Sequence, residues 1–278
     1  MSTFSAADVK RLRDETGAGF MDCKKALTEA DGDFDKALDA LKVRVQEKAA
    51  KRGVEREASN GAVVSKDGAI LELKCETDFV AKNEKFLALA DELLDVAIAN
   101  KVTSAEELLQ QQLLDGRAVT EGLAALAAVI GEKIAIGGVA VYDGTTTTYL
   151  HRRDPGLPPQ VGVLIEYAGS DESAARTAAM QIAAMAPLYV SREDIPTEVV
   201  DAERKEAEDF ARSEGKPEQI LPRIVEGRLK KFYAERVLLE QTSVHDDKKT
   251  VGQVLEAAGV TVSRFARFVA AEPAGQQA

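Results

Sequence analysis

The chain has 278 residues, of which 45% are apolar and 30% are charged, and its formal net charge is -11 at pH 7. This length allows more than one domain with its own core, and the apolar content excludes an intrinsically disordered chain. The acidic balance argues against a nucleic-acid backbone as the main partner, because binding to phosphates draws its affinity from clustered lysine and arginine.

Membrane and export signals are absent from the sequence. No stretch of 18 apolar residues occurs, and the N-terminus lacks a charged start followed by an apolar core, so we expect neither a membrane segment nor a secretion signal. Two cysteines, Cys23 and Cys75, are too few for a disulfide framework and fit a reducing compartment. We therefore expect a cytoplasmic protein in which both cysteines are small buried side chains.

Residues 1–53 are predicted to form a compact module of three helices. Ser5 and Asp8 have the spacing of reciprocal caps at the start of the first helix. Glycine-containing turns separate the helices, and a charged connector follows over residues 46–59. Apolar residues recur every three or four positions in the second and third helices, at Cys23, Ala26, Leu27, Ala30, Phe34, Ala37, Leu38, Leu41 and Val45.

Residues 54–142 are predicted to form the first of two core subdomains, each combining an antiparallel sheet with a helix. The strand over Leu71–Cys75 alternates apolar and charged residues, as in a sheet with one buried face. An Asp-Gly step at residues 67–68 joins it to an earlier strand in a tight hairpin. An apolar stripe from Phe86 to Ala97 predicts an amphipathic helix, and Ile134–Tyr142 predicts a further strand.

The connection between this strand and this helix contains Thr77, Asp78, Phe79 and Val80. Thr77 or Asp78 could cap the coming helix through a side-chain oxygen, and Phe79 could be an ordinary core residue. A second strand-and-helix unit downstream aligns residues 170–173 with this connection, and it has no apolar pair at the matching positions. If the two units are a repeat, the architecture does not need the apolar pair, which leaves it available for a partner.

Residues 143–278 are predicted to form the second core subdomain. A turn at residues 144–148 and a proline-rich loop precede a strand at Val161–Tyr167 and its helix. Near the C-terminus, Val260–Val269 is interpreted as either an edge strand or a short helix. The tail after Glu272 is expected to be disordered.

A long helical hairpin is predicted inside this second subdomain, over residues 197–240. The segment is highly charged and is interrupted once, at residues 215–217, where the sequence is Gly-Lys-Pro. Two helices that meet at such a turn form an antiparallel hairpin. The whole chain is therefore expected to have an α+β fold.

Residue patterns of enzymes and of nucleotide-binding proteins are absent from the sequence. It contains no P-loop, no dinucleotide fingerprint, no His-Glu-x-x-His motif and no paired cysteines of a zinc site. The two histidines, His151 and His245, lie far apart in the sequence, and each is expected at the surface rather than as a ligand. We therefore expect a protein that is not an enzyme, holds no cofactor or metal, and does not itself bind nucleotide.

Four motifs occur in order along the chain, at Leu12–Leu27, Thr77–Asn83, Ile224–Phe232 and Lys249–Leu255. Together they resemble the bacterial elongation factor Ts family, the nucleotide-exchange factors of elongation factor Tu. The resemblance covers nearly the whole chain and implies that the N-terminal module is a ubiquitin-associated-type bundle that docks on the partner's nucleotide-binding domain. It also implies that the helical hairpin is a coiled coil.

The resemblance also implies a site for the N-terminal docking contact. Leu12, Phe20 and Met21 are the candidates for an exposed apolar surface on the bundle. His151 is a further docking candidate, although the chain departs from the family pattern after it. The family commonly has a short glycine-rich turn there, whereas this chain has a longer loop that contains prolines.

The resemblance further implies a mechanism for the Thr77–Val80 connection. Elongation factor Tu, bound to GDP or free of nucleotide, would be the partner. Phe79 would insert between helices of its nucleotide-binding domain, and Asp78 would help to displace Mg²⁺ and so promote release of GDP. Val80 would extend the apolar contact, and Thr77 would fix the connection.

Two other classes of protein remain open at this point. The N-terminal module could belong to an adaptor that binds ubiquitin-like proteins, although most of the chain would then have no role. The helical hairpin could instead belong to a structural scaffold, which would assemble into large oligomers and have no effect on nucleotide release. Neither alternative predicts a nucleic acid or a membrane as the partner.

Overall fold

The computed structural model describes residues 4–16, 18–41, 43–44 and 57–270. These residues include helices and two three-stranded sheets, which confirms the α+β class. The chain forms two compact units. The first contains the described residues up to Val141, Leu150–Gly162 and the described residues from Phe268 onward, and the second contains Tyr142–Tyr149 and Val163–Arg267. The division into 1–53, 54–142 and 143–278 stays a prediction.

Three N-terminal helices enclose a small core of their own. Helix α1 spans Ala6–Thr16, α2 spans Phe20–Glu29, and α3 is described over residues 34–41 and 43–44. Of the predicted connector over residues 46–59, only residues 57–59 lie within the described part of the chain. The buried residues of this core are Val9, Leu12, Ala18, Cys23, Ala26, Leu27, Ala37 and Leu41.

Helix α1 begins with the predicted reciprocal caps. The backbone N–H and the hydroxyl of Ser5 both donate to Asp8 Oδ2 at 2.7 Å, and the Asp8 amide donates back to Ser5 Oγ at 3.2 Å. These bonds satisfy backbone groups that the first turn of a helix leaves unpaired. The hydrogen bonds that its carboxylate accepts from the Ser5 amide, which has the larger effect, and from the Ser5 hydroxyl lower the pKa of Asp8.

The first sheet has the strand order β1-β2-β3, with antiparallel pairing throughout. Strand β1 spans Asn60–Lys66, β2 spans Ala69–Cys75 and β3 spans Ala135–Val141. The predicted hairpin is confirmed, since Lys66 pairs with Ala69 and the two residues between them, Asp67 and Gly68, have φ angles of 46° and 76°. Positive φ at both central residues is the geometry that matches the twist of the strands.

One face of this sheet packs on a helical layer. Helix α4 spans Asp78–Ala81, α5 spans Glu84–Asn100, α6 spans Ala105–Leu109 and α7 spans Val119–Ile130. The predicted apolar stripe of α5 lies in this core together with the alternating apolar residues of β2. Its largest fully buried side chains are Leu71, Leu73, Phe86, Leu93, Leu94 and Leu108.

The expectation that the other face of β2 is exposed is wrong. Glu72 points to that face and is buried, and Val63 and Ile70 beside it are fully buried as well. The reason is that the segment Leu150–Gly162 lies against Val63 and Ile70, so closely that a side chain at Gly162 would clash with both, and that Gly137 of β3 lies directly beside the Glu72 side chain. Local alternation in β2 could not reveal this cover, because the covering segment is distant in sequence.

The second sheet has the strand order β4-β5-β6. Strand β4 spans Thr146–His151, β5 spans Val161–Ala168 and β6 spans Thr261–Val269. The predicted turn over residues 144–148 is therefore wrong from Thr146 onward, because β-branched threonines are favourable in a strand that has a partner. For the C-terminal segment, the edge-strand alternative is confirmed.

Four helices belong to the second unit. Helix α8 spans Glu172–Met185, α9 spans Thr197–Ser213, α10 spans Leu221–Arg236 and α11 spans Val251–Ala257. Helices α9 and α10 pack on each other through Ala207, Val225 and Leu229. Short 3-10 helices occupy Arg192–Asp194, Glu218–Ile220 and Leu238–Glu240. The predicted disordered tail after Glu272 lies outside the described residues.

Within the part of the chain that the structure describes, no helix combines the length and the apolar character needed to cross a membrane.

Candidate functional site

The connection after β2 contains a one-turn helix of its own. Thr77 has extended backbone angles and accepts a hydrogen bond from the Val80 amide at 3.4 Å, so its side chain caps α4. Asn83 then caps α5 by accepting from the Lys85 amide at 2.9 Å. Of the two capping candidates, Thr77 is the one that caps, and it caps α4 rather than the long helix that follows.

One side of helix α4 is buried against the core, and its other side is exposed to solvent. Val80 is 8% exposed and Ala81 is fully buried, and both belong to the core of the first unit. Phe79 is 72% exposed. The alternative in which Phe79 is an ordinary core residue is therefore contradicted. Val80 faces this core, so the apolar contact predicted for its side chain would require it to leave the position described here.

Phe79 and Asp78 lie side by side at the start of the turn. Asp78 is half-buried, whereas Phe79 is mostly exposed, and the Lys82 ammonium lies 4.7 Å from the centroid of its ring. An ammonium at this distance interacts favourably with the face of an aromatic ring. The connection therefore presents a large apolar ring flanked by an acidic and a basic side chain.

A distant glutamate holds the N-terminal end of this turn. Glu132 Oε2 accepts hydrogen bonds from the Glu76 amide at 3.1 Å and the Thr77 amide at 3.0 Å, and Oε1 accepts from the Thr77 hydroxyl at 2.7 Å. In return, the Lys133 amide donates to Glu76 Oε1 at 2.7 Å. Sequence reasoning missed Glu132, because no local pattern relates residues more than 50 positions apart.

The N-terminal docking candidates separate into exposed and buried residues. Phe20 is 51% exposed and Met21 is 71% exposed, both at the start of α2. Leu12 is fully buried in the core that the three helices share, so the expectation that it is exposed is wrong. The helical position of Leu12 on α1 faces α2 and α3, and an apolar side chain there packs inside the bundle.

His151 ends strand β4 and is exposed. Its backbone carbonyl accepts a hydrogen bond from the Gln160 amide at 3.1 Å, which closes the proline-bearing loop between them. A docking role for its side chain stays a prediction. Within residues 4–16, 18–41, 43–44 and 57–270, no group of three or more His, Cys, Asp or Glu side chains is arranged to hold a metal ion.

Both cysteines are buried, as predicted. Burial raises the pKa of the Cys75 thiol to about 12, with the nearby Glu132 carboxylate as the second cause. The Cys75 thiol donates a hydrogen bond to the Thr77 carbonyl at 3.1 Å, so the cysteine supports the connection from inside. Burial also raises the pKa of Cys23.

We expect neither thiol to react with iodoacetamide in the folded protein at pH 8, because the thiolate is the reactive form and both thiols are buried and protonated. After unfolding in guanidinium, both should react, which serves as the positive control. The shift at Cys75 also predicts that folding stability falls as the pH rises from the ordinary value of 9.0 towards 12. Rapid modification of Cys75 without unfolding would contradict this description.

Comparison with known proteins gives a consistent result. A family model described as Elongation factor TS matches residues 76–272, a range that includes the connection and Glu132. Elongation factor Ts of Mycobacterium tuberculosis is 53% identical over 268 residues, which cover 96% of this chain and 98% of that protein. Elongation factor Ts of Cutibacterium acnes is 54% identical over 268 residues, covering 96% of this chain and 99% of that protein.

Proposed function

The chain belongs to the elongation factor Ts family, and we propose that it is a guanine-nucleotide exchange factor. It binds elongation factor Tu loaded with GDP and promotes the release of GDP during translation elongation. The observation that carries the proposal is the exposed Phe79 on a turn whose other side is anchored in the core. Because the turn is held from its buried side, the Phe79 ring is available for contact with a partner without rearrangement of the free protein.

Burial of the Phe79 ring in the partner supplies binding energy. Transfer of a phenylalanine side chain out of water contributes about 1.5 to 3 kcal/mol, which corresponds to roughly one to two decades of affinity. Because α4 is already formed in the free protein, little of this energy is lost in ordering the turn. Insertion between helices of the partner's nucleotide-binding domain is the contact that we assign to the ring.

Binding of this kind promotes release through linkage. If the factor binds the nucleotide-free partner more tightly than the loaded partner, nucleotide weakens the factor by the same ratio as the factor weakens nucleotide. Much of the affinity of such proteins for nucleotide depends on Mg²⁺ and the phosphates that it bridges. Displacement of this ion, which we assign to Asp78, is therefore an effective way to lower nucleotide affinity.

The remaining parts of the proposal concern docking and chemistry. Phe20 and Met21 form an exposed apolar pair on the N-terminal helices, which we assign to docking on the same domain of the partner. The factor acts by binding alone, so it needs no catalytic group, no cofactor and no nucleotide site of its own. We therefore propose that the protein is not an enzyme.

The test is release of labelled GDP from elongation factor Tu with and without this protein. Catalytic amounts are expected to accelerate release, because each molecule dissociates from the partner after new nucleotide binds. The isolated chain is expected to bind neither GDP nor GTP. Measurable GDP binding by the isolated chain, or unchanged release at stoichiometric concentration, would defeat the proposal.

Asp78→Ala is expected to slow GDP release by more than it weakens binding of the nucleotide-free partner. The reason is that the proposed role of Asp78 is to displace the ion, which is absent from the nucleotide-free complex. Release rates and calorimetric affinities for the same variant separate the two effects, and Asp78→Asn shows how much depends on charge alone. Equal losses in both measurements would indicate an ordinary contact residue instead.

A further inference from the structure

We propose that Glu132 is a positioning residue that holds the Thr77 end of the connection and so fixes the direction of Phe79 and Asp78. The inference rests on the proposed function, since its consequence for activity is measured as nucleotide exchange. Glu132 lies outside the connection itself, and its carboxylate reaches the connection from the end of another element, directly after α7.

Helix α4 needs anchors because it has four residues, and a single helical turn is not stable on its own. Burial of Val80 and Ala81 anchors its inner side. At the exit of β2, Asn60 Nδ2 donates to the Glu76 carbonyl at 2.9 Å and the Cys75 thiol donates to the Thr77 carbonyl at 3.1 Å. The amides of Glu76 and Thr77 are held by the Glu132 carboxylate, which is therefore a further anchor at the start of the turn.

The geometry of the carboxylate suits this role. Its two oxygens accept three hydrogen bonds from two consecutive residues, Glu76 and Thr77, at distances of 2.7 to 3.1 Å. Hydrogen bonds to an ionised acceptor are roughly twice as strong as neutral ones. Two neighbouring amides directed at one oxygen fix the orientation of the peptide units immediately before α4.

A further hydrogen bond joins the same two segments in the opposite direction. The Lys133 amide donates to Glu76 Oε1 at 2.7 Å, so residues 76–77 and residues 132–133 hold each other from both sides. The Thr77 hydroxyl connects this pair to the turn itself, because it donates to Glu132 and accepts from the Val80 amide. Loss of Glu132 would therefore release the Glu76 and Thr77 amides and the Thr77 hydroxyl, while the inner side of α4 stays buried.

Glu132→Ala is the test variant, and Glu121→Ala is its matched control. Glu121 lies in the first turn of α7 and accepts a hydrogen bond from the Ala118 amide at 3.3 Å, whereas Glu132 follows the other end of this helix. Both changes remove a glutamate that bonds to the backbone. We expect Glu132→Ala to lower accelerated GDP release about tenfold, equivalent to about 1.4 kcal/mol, and Glu121→Ala to change it less than about twofold.

A second readout separates positioning from general destabilisation. In a Phe79→Ala background, Glu132→Ala is expected to lower GDP release by less than about threefold, because its effect passes through the direction of the ring. An equal tenfold loss in both backgrounds would overturn the inference. So would equal losses for Glu132→Ala and Glu121→Ala in the chain that keeps Phe79.

A third readout needs no partner and keeps this inference distinct from the proposed function. Amide hydrogen exchange at Glu76 and Thr77 in the free protein should become at least about tenfold faster in Glu132→Ala, with α5 unaffected. Unchanged protection of these two amides would overturn the positioning role. If the unaltered protein fails to accelerate GDP release, the proposed function is wrong, and these amides still decide whether Glu132 holds the connection.

Discussion

Phe79→Ala is expected to lower accelerated GDP release by at least about tenfold while leaving the free protein nearly as stable as before. The ring is 72% exposed in the free protein, so its removal costs folding well under about 1 kcal/mol. In the complex, the same removal forfeits about 1.5 to 3 kcal/mol of apolar burial. Release of labelled GDP and thermal unfolding of the same variant measure the two quantities.

Two control variants bracket this result. Leu114→Ala removes another exposed apolar side chain from the first unit, and it should change neither stability nor GDP release appreciably. Phe86→Ala removes a fully buried phenylalanine, and it should cost about 3 to 5 kcal/mol of folding free energy. A melting temperature of Phe79→Ala that falls as far as that of Phe86→Ala would show that Phe79 is a core residue in solution.

Removal of residues 1–53 is expected to leave a folded remainder that binds elongation factor Tu at least about tenfold more weakly. The remainder should fold because, among the residues that the structure describes, the clusters around the two sheets include none from the N-terminal helices. Affinity should fall because the truncation removes the exposed Phe20 and Met21. Calorimetric titration measures the affinity, and a cooperative thermal transition of the truncated chain verifies that it is folded.

A point-variant version of this experiment localises the effect. Phe20→Ala combined with Met21→Ala should reproduce most of the loss of affinity with little loss of stability, because both side chains are exposed. Leu12→Ala should instead destabilise the bundle by about 2 to 5 kcal/mol, because Leu12 is in its core. Unchanged affinity after the truncation would assign the N-terminal helices to another role.

Several parts of the molecule could be predicted from the sequence because they depend on neighbouring residues. The Asp67-Gly68 turn follows from the ease with which these two residues adopt positive φ. The caps of α1 depend on two residues three positions apart, Ser5 and Asp8. The apolar stripe of α5 follows from helical periodicity alone. The order of four motifs along the chain likewise indicated the family that the comparisons show.

The errors have a common origin in contacts between distant segments. The burial of Val63 and Ile70 depends on the segment Leu150–Gly162, and the strand at Thr146 depends on a neighbouring strand in the sheet. Leu12 was expected on the docking surface from the family resemblance, but an apolar residue can serve either a core or an interface. Whether Leu12 lies in the core or on the surface is decided only when the three helices pack together.

The sequence by itself determined the kinds of most elements and indicated the family, because periodicity, caps, turns and short motifs act over a few residues. The tertiary structure decided which side of the connection is buried, with Val80 inside and Phe79 outside. It alone revealed Glu132 as the anchor of Thr77. A hydrogen bond between residues far apart in the chain leaves no periodic pattern, since its geometry exists only after the sheet and helices have packed.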